Sequence, residues 1–487
     1  MTDVRGGRRV LAGAIWGYGA QLITIIFQFG YAAIVSRLAG ANEFGAYSIA
    51  LAVTGLISLI ANGGMSQAVA RLLKVENSVV GGLFSFGLVL GAVVGVVTFV
   101  TAPFWSDLWG AASAKDTIQW LSLSALLSPT FSLLTGLARR NGEFSKLARA
   151  TVLCNVLGMV GGVLAVLSWG TASSLAASAI LAQVLLVGWL AAKYRVFLKP
   201  RSLSGALPHV AFSSKLVFAG VLQYAVGNLG KLSAARVFGT AVIGQWNRAE
   251  VLTTIPVQQI QTAMVQAIYP EFRHDIASPS RARLVWTDML LLVVWLSAPA
   301  GVALAVFAPH IIIWILGPTW SQAAIFAVPL SIGVAIQPVS IVLASALESL
   351  GSFRRIWLTD ILLLLIQIGL VMLMISMDDV SVVIWGLAVS NGVRFITHSY
   401  IAARIGYLDP RNLSLGFCKV ILGCAFVFII SKAIEQIYLL IQNGHVGEFW
   451  VATGLFLIVS AIAMGLLPKW RTAPPARIAI KYGLIRR

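Results

Sequence analysis

The sequence has few charged residues, and its acidic residues are especially scarce. Only 11% of the 487 residues are charged, and 17 Asp and Glu accompany 35 Lys and Arg. The three cysteines lack the spacing of metal ligands, which argues against disulfides and against zinc or iron–sulfur sites. There is no glycine-rich phosphate loop, no paired-histidine motif and no nucleophile elbow. We therefore predict no catalytic residue, no metal site and no cofactor.

Apolar segments fill the chain, and hydrophobic residues make up 59% of it. Fourteen segments are long enough to cross a bilayer as helices, which takes about 20 residues each. No connection between them is long enough to form a soluble domain. The predicted spans are 11–36, 44–64, 79–102, 117–137, 148–169, 172–192, 212–238, 241–268, 286–308, 321–347, 356–376, 380–403, 413–440 and 449–467.

The basic residues lie almost entirely on alternate sides of these segments. Most of them are in the N-terminus, the C-terminal tail and every second connection, whereas the other side has only Arg37 and Lys115. Basic loops resist translocation, so both termini are predicted to be cytoplasmic. Topology and attraction to anionic membrane lipids then explain the net charge of +18, and no nucleic-acid partner is expected.

The sequence resembles itself at an offset of about 200 residues. Residues 37–47 read RLAGANEFGAY, and residues 236–246 read RVFGTAVIGQW. The same order recurs in three further matches: Met65, Gln67 and Ala68 with Met264, Gln266 and Ala267; Ala102-Pro103 with Ala308-Pro309; and Gly142-Glu143-Phe144 with Gly351-Ser352-Phe353. An even number of spans separates equivalent points, so both halves are predicted to have the same orientation.

These patterns predict an all-α integral membrane protein with two parallel, pseudo-symmetric six-helix lobes. The predicted divisions are an N-terminal lobe at 1–206, a C-terminal lobe at 207–410, two further helices at 411–468 and a basic cytoplasmic tail at 469–487. Rocking one lobe against the other would give alternating access to a cleft between them. The alternative is that duplication produced only a large helical bundle.

Charged side chains inside the predicted spans suggest a binding site, because such charges are costly in a bilayer. Lys231 and Arg248 flank the turn near Thr240 and lie about 12–14 Å deep at 1.5 Å per residue. Arg394 is a third deep cation. Surplus positive charge in a cleft suits an anionic cargo, most commonly a phosphate. Arg37 and Arg236, at the outer ends of their helices, are further candidates, although Arg236 could snorkel to the interface.

Glu250 is expected to be the only deep acidic residue. We expect it to pair with Lys231 or with Arg248, and it is the candidate for ion coupling. If it pairs with Arg248, Lys231 is left to face the cavity and bind phosphate. His398 is expected to be a packing residue near the cytoplasmic boundary.

Amide side chains near these charges are candidates for sugar contacts. Gln258 and Gln261 are three residues apart on one helix, and Asn228 lies on the preceding one. Amides also hold membrane helices together, and this second role is at least as common.

At these motifs the chain resembles the Wzx-type polysaccharide-transporter branch of the MOP exporter superfamily. The stretch 37–45 is similar to that family's RLLGPEEFG turn, and 239–249 resembles its LGYYxRA segment. Pro256, Tyr269-Pro270 and the GPTW at 317–320 resemble further family positions. The resemblance implies a MATE-like fold of fourteen helices with a cationic cavity.

The resemblance also implies export of undecaprenyl-diphosphate-linked oligosaccharide across the bacterial cytoplasmic membrane. Polysaccharide polymerases and other glycan-assembly proteins are the partners it suggests. Many relatives carry an acidic residue in an N-x-D pattern, where this chain has Gly230, so their coupling acid does not carry over. Alternative functions are a multidrug exporter of the same superfamily, a membrane glycan polymerase or ligase, and a structural role in glycan assembly.

Overall fold

The computed structural model shows an all-helical protein. It describes residues 19, 23–62, 65–72, 76–202, 214–274, 279–441 and 454. The helices are α1 Ile23–Leu38, α2 Ala41–Asn62, α3 Met65–Arg71, α4 Asn77–Leu108, α5 Lys115–Arg140, α6 Phe144–Trp169, α7 Ala172–Lys193, α8 Ser214–Phe238, α9 Thr240–His274, α10 Pro279–Leu316, α11 Ser321–Ser349, α12 Phe353–Met377, α13 Ser381–Arg404 and α14 Pro410–Ile441.

Nine helices of the described part are long and apolar enough to cross a membrane: α2, α4, α5, α6, α7, α10, α11, α12 and α14. The prediction of a multi-pass membrane protein is therefore confirmed, and that of fourteen spans is confirmed in part. Helices α8, α9 and α13 match predicted spans but contain Lys231, Arg248 and Arg394, which lower their apolar character. The predicted span at 449–467 lies outside the described residues except for Gly454.

Helix α4 shows how these helices divide between protein and lipid. Its exposed apolar side chains recur every three or four residues, at Val89, Val93, Val96 and Val100. The opposite face is buried and consists largely of small residues, which allow close packing against α5. In a bilayer the exposed valine stripe would face the hydrocarbon core.

The chain divides after Asn247 into two compact units. In the first unit the packed pairs include α4 with α5, α6 with α7, and α5 with α7. In the second they include α10 with α11, α12 with α13, and α11 with α13. These pairs are equivalent under the sequence repeat, so the duplication extends to helix packing. The predicted lobe boundary near residue 206 and the separate C-terminal divisions remain predictions.

The repeat is also visible in the backbone of one turn. Gly142 and Gly351 both have a φ of +70°, a left-handed conformation that glycine adopts without strain. The amide of Gly142 donates to the Arg139 carbonyl, as that of Gly351 does to the Glu348 carbonyl. In both halves the next helix begins two residues later, at a phenylalanine.

Candidate functional site

The two RxxGxxxxGx-aromatic segments of the repeat pack directly against each other within the first unit. A methyl group placed on Gly45 would lie 1.7 Å from the Thr240 carbonyl oxygen, and one on Gly244 would lie 1.9 Å from the Ala41 carbonyl oxygen. Each glycine therefore lets the backbone at the start of the other segment's helix approach closely. Only residues without a side chain allow this contact in both directions.

Side chains extend the same contact along α2. Thr240 donates a hydrogen bond to the Asn42 side chain at 3.0 Å, and Asn247 donates to the Ser48 hydroxyl at 3.3 Å. Ser48 and Asn247 are equivalent positions of the repeat. The Tyr224 hydroxyl on α8 also donates to the Ala52 carbonyl at 2.9 Å. The contact joins α2 to the α8–α9 hairpin on the side predicted to face outward.

Lys231 lies close to this contact, on α8. Its side chain is 7% exposed, and its Nζ lies 5.7 Å from the centroid of the fully buried Trp246 ring. Lys231 and Trp246 are at similar distances from the turn at Gly239, so the α8–α9 hairpin brings them together. An aromatic face stabilises a desolvated ammonium through its quadrupole.

The other candidates on α8 and α9 occupy different environments. Arg248 is 6% exposed and Glu250 is half-buried. Gln261 is buried, whereas Gln258 is exposed, so the two amides do not share one environment. Asn228 donates its side-chain amide to the Tyr224 carbonyl one turn earlier, at 3.0 Å. The predicted pairing of Glu250 with Lys231 or Arg248 remains a prediction.

Arg37 and Arg236, which are equivalent in the repeat, are both exposed. The Arg236 Nη1 donates to the Asp107 carbonyl at 3.1 Å, in the last turn of α4. This geometry fits a side chain that extends toward the interface. A role in cargo binding for these two arginines remains a prediction.

The second unit contains a charged pair that the sequence did not reveal. The Arg394 Nη2 on α13 lies 3.1 Å from the Asp360 Oδ1 on α12. Arg394 is 8% exposed and Asp360 is fully buried. The expectation that Glu250 is the only deep acidic residue is therefore wrong, because Asp360 and also Asp288 are buried. Arg394 lacks an acidic residue on its own helix but has one on the neighbouring helix.

Further polar contacts join α13 to its neighbours α12 and α11. Gln367 donates to the Ser390 hydroxyl at 2.8 Å, and the Ser340 hydroxyl donates to the Asn391 carbonyl at 2.9 Å. His398, predicted as a packing residue, is 1% exposed and lies one turn from Arg394. The signal that was missed is the spacing: 360 and 367 share a face of α12, while 390, 394 and 398 share a face of α13.

No group of three or more His, Cys, Asp or Glu side chains arranged to hold a metal ion occurs in the part of the chain that the structure describes.

The helical fold is similar to that of solved membrane-transporter structures. The structure of the lipid II flippase MurJ in an inward closed conformation has a TM-score of 0.71 at 12% identity, covering 93% of this chain and 99% of that one. The MATE multidrug transporter DinF-BH has a TM-score of 0.61 at 16% identity, covering 83% of this chain and 96% of that one.

Residues 34–325 match the family described as "Polysaccharide biosynthesis protein", and the chain belongs to this family. It is also similar to the lipopolysaccharide biosynthesis protein WzxC of Escherichia coli K12, with 22% identity. That match spans 64% of this chain and 64% of WzxC, which is less than two thirds of either protein. The predicted family is confirmed.

Proposed function

We propose that the protein moves an undecaprenyl-diphosphate-linked oligosaccharide from the inner to the outer leaflet of the bacterial cytoplasmic membrane. The cargo would serve the synthesis of exopolysaccharide, O-antigen or capsule. Family membership supports a role in polysaccharide biosynthesis, and the fold shared with a lipid II flippase supports this chemical class of cargo.

The observation that carries the proposal is the burial of Lys231, Arg248 and Arg394 within helices that otherwise suit a membrane. Cations at such positions are costly unless they have a partner or a function. A diphosphate offers several acceptor oxygens and matches both guanidinium and ammonium donors. In this proposal the three cations bind the diphosphate at successive stages, and amides such as Asn228, Gln258 and Gln261 contact the sugars.

The mechanism we propose is alternating access. The contact of Gly45 with Thr240, and of Gly244 with Ala41, supports a state that is closed on the predicted outer side. Opening that side would separate α2 from α9, and the glycine contact would re-form when the transporter resets. Glu250 remains the candidate for coupling to an ion on α9.

The partners we propose are membrane lipids and the polymerases and other proteins that assemble the exported glycan.

Deleting the gene should abolish the surface polysaccharide and cause lipid-linked oligosaccharide to accumulate on the inner leaflet, measured by extraction and mass spectrometry. Expression of the wild-type protein in the deletion strain should restore glycan export. The Arg248→Ala variant should accumulate in the membrane but should not restore export. Arg248→Lys then separates a need for charge from a need for the guanidinium fork. If the deletion strain still showed unpolymerised glycan outside the cell, the glycan would have crossed the membrane without this protein, and the proposal would be contradicted.

The alternative is multidrug export, which the fold shared with DinF-BH favours. It predicts that deletion raises sensitivity to cationic drugs and leaves the surface polysaccharide intact. Buried cations argue against this reading, because they would repel a cationic drug. Drug sensitivity measured in the same deletion strain distinguishes the two functions.

A further inference from the structure

Trp246 is a buried tryptophan whose indole N–H group has no hydrogen-bond partner. The side chain is fully shielded from solvent, and its Nε1 atom makes no hydrogen bond. A buried donor without an acceptor carries a desolvation penalty, which phenylalanine or leucine at this position would avoid. Hydrogen bonding therefore does not account for an indole here, and the face of the ring is the property left to explain it.

The ammonium of Lys231 lies over this ring face, with its Nζ atom 5.7 Å from the centroid. Indole is the aromatic ring that attracts a cation most strongly, and the attraction grows when both groups are desolvated. Lys231 is 7% exposed and Trp246 is fully buried, so the contact is desolvated on both sides. The ring therefore restricts where the ammonium can lie.

The sequence repeat shows that the hairpin does not need this pair in order to form. In the alignment of the two copies, extended back along their first helices, Ala32 takes the place of Lys231 and Tyr47 takes that of Trp246. Ala32 is buried on α1, and Tyr47 is half-buried on α2. The same helix–turn–helix thus forms without a cation at this depth, and lysine and tryptophan occur together in the second copy alone.

We propose that Trp246 is a positioning residue for cargo binding, whose ring face holds the Lys231 ammonium where it meets the anionic group of the cargo. The anionic cargo rests on the proposed function, whereas the pairing of the two side chains does not. Both residues belong to the α8–α9 hairpin, so the pair stays together when α2 separates from α9. Each cargo then meets an ammonium that is already ordered, which lowers the entropic cost of binding.

An aromatic partner also suits an anionic ligand better than a carboxylate would. A carboxylate at this place would fix the ammonium equally well, but its charge would repel the cargo and compete for the same N–H donors. The ring face carries no net charge. Asp360 beside Arg394 shows the contrast, because that guanidinium is held by a carboxylate.

The test weakens the quadrupole of the ring with little change in its size. Trp246 is replaced in the full chain, by site-specific incorporation, with increasingly fluorinated tryptophans, in which fluorine withdraws electron density from the ring face. Binding of farnesyl diphosphate is measured in nanodiscs, with uncharged farnesol as the matched ligand. We expect the affinity for farnesyl diphosphate to fall along the series, by about tenfold in total, and the affinity for farnesol to stay constant.

Fluorination also separates the ring face from the N–H group. Electron withdrawal makes the indole N–H a stronger donor, so a ligand held by that group would bind more tightly along the series. A side chain that only fills space would give no trend. The control places the same series at Trp295, a buried tryptophan of α10 that lies against Gly423, where the affinity for farnesyl diphosphate should not change.

The pair itself is measured without any ligand, by NMR of protein labelled with carbon-13 at the lysine Cε position. The Lys231 signal is assigned by its loss in Lys231→Met. Protons above an indole face experience the ring current, so we expect an upfield shift of this signal that is absent in Trp246→Leu. If Trp246→Leu does not accumulate, the wild-type shift and the fluorinated series decide the question.

An unshifted Lys231 signal would overturn the inference, as would an affinity for farnesyl diphosphate that stays constant or rises along the series. If wild type binds farnesyl diphosphate but fluorination has no effect, the positioning role fails and the proposed function stands. If the Lys231 signal is shifted but wild type binds no farnesyl diphosphate, the anionic cargo of the proposed function is contradicted, and the positioning role with it.

Discussion

At the scale of single residues, the charges buried among the helices carry most of the information. Lys231, Arg248 and Arg394 were predicted from the sequence as deep cations, and all three are buried. Asp360 was overlooked, although it lies within the predicted span 356–376. Its pairing with Arg394 depends on how α12 and α13 are rotated toward each other, which the spacing along either helix suggests but does not fix. A deep cation that looks unpaired in the sequence can therefore have an acidic partner on another helix, which leaves less positive charge for a ligand.

The pairing of Arg394 with Asp360 predicts a strong coupling in stability. Arg394→Met and Asp360→Leu should each lower the free energy of unfolding by about 3–5 kcal/mol, because each leaves a buried charge without a partner. The double variant should recover part of this loss. Thermal unfolding of the purified variants measures the coupling, with the exposed Arg236→Met as a control. Additive losses in the double variant would show that the two side chains do not stabilise each other.

A second charged group lies in the connection before α6. Burial raises the pKa of the Glu143 carboxyl, but hydrogen bonds from Lys193 and Tyr194 and the nearby Lys146 outweigh burial and leave this pKa below its usual value. Burial and the bond to Glu143 raise the pKa of Tyr194 to about 12. The Tyr194 hydroxyl donates to Glu143 at 2.5 Å, which ties the end of α7 to the start of α6.

This geometry predicts how stability depends on pH. A carboxyl whose pKa is lower in the folded state stabilises the fold above its unfolded pKa, and the contribution disappears as pH falls through the folded pKa. Glu143→Gln should therefore cost about 1 kcal/mol at neutral pH and nothing in strong acid. Unfolding temperatures across the acid range measure this difference. The exposed Glu76→Gln is the control, and an equal effect of both variants would contradict the assignment.

At the scale of helices, the duplicated segments 37–47 and 236–246 form a reciprocal contact. The helices α2 and α9 begin at equivalent positions of the repeat, Ala41 and Thr240, although their predicted spans began at 44 and 241. The alignment did not predict that the two copies would pack on each other. Similar sequences in the two copies indicate the same local structure. Whether the copies contact each other depends on how the helices between them are packed.

This contact yields a test of alternating access. With Cys154, Cys418 and Cys424 replaced by serine, cysteines introduced at Ser48 and Asn247 should cross-link under mild oxidation, since the native side chains already meet. Cross-linking should stop export, and a reductant should restore it. Mobility on gels and the amount of surface polysaccharide report the two effects.

The control pair places cysteines at Leu51 and Asn247, because Leu51 lies on the exposed face of α2. It should neither cross-link nor block export. Full export by the cross-linked Ser48 and Asn247 variant would show that this contact need not open.

At the scale of the whole molecule, hydropathy and repeats predicted the helical class and most helix positions. Boundaries were less accurate: α10 extends over Pro279–Leu316, beyond the predicted 286–308, because apolar composition defines only the hydrocarbon-facing portion. The short helix α3 was not predicted, since its seven residues are too few for a periodic signal. Composition could not reveal which deep polar groups meet, because that depends on the rotation of each helix.

Topology remains a prediction that labelling can test. A single cysteine at Ser202 should be protected from an impermeant maleimide in intact cells, because its loop is basic and predicted to be cytoplasmic. Single cysteines at Asn42 and Asp378 should react. Permeabilised cells provide the control, in which the cysteine at Ser202 should also react. Labelling at Ser202 in intact cells would reverse the predicted orientation.

The central claim is that the protein flips a lipid-linked diphosphate glycan, and reconstitution tests it most directly. Proteoliposomes would contain an undecaprenyl-diphosphate disaccharide with a fluorescent tag, and an impermeant quencher would report which leaflet holds it. We predict rapid equilibration of the tag between leaflets with wild type and little with Arg248→Ala or Arg394→Ala, while tagged phosphatidylcholine stays in place. Equilibration no faster than in protein-free liposomes, or equally fast for phosphatidylcholine, would contradict this account.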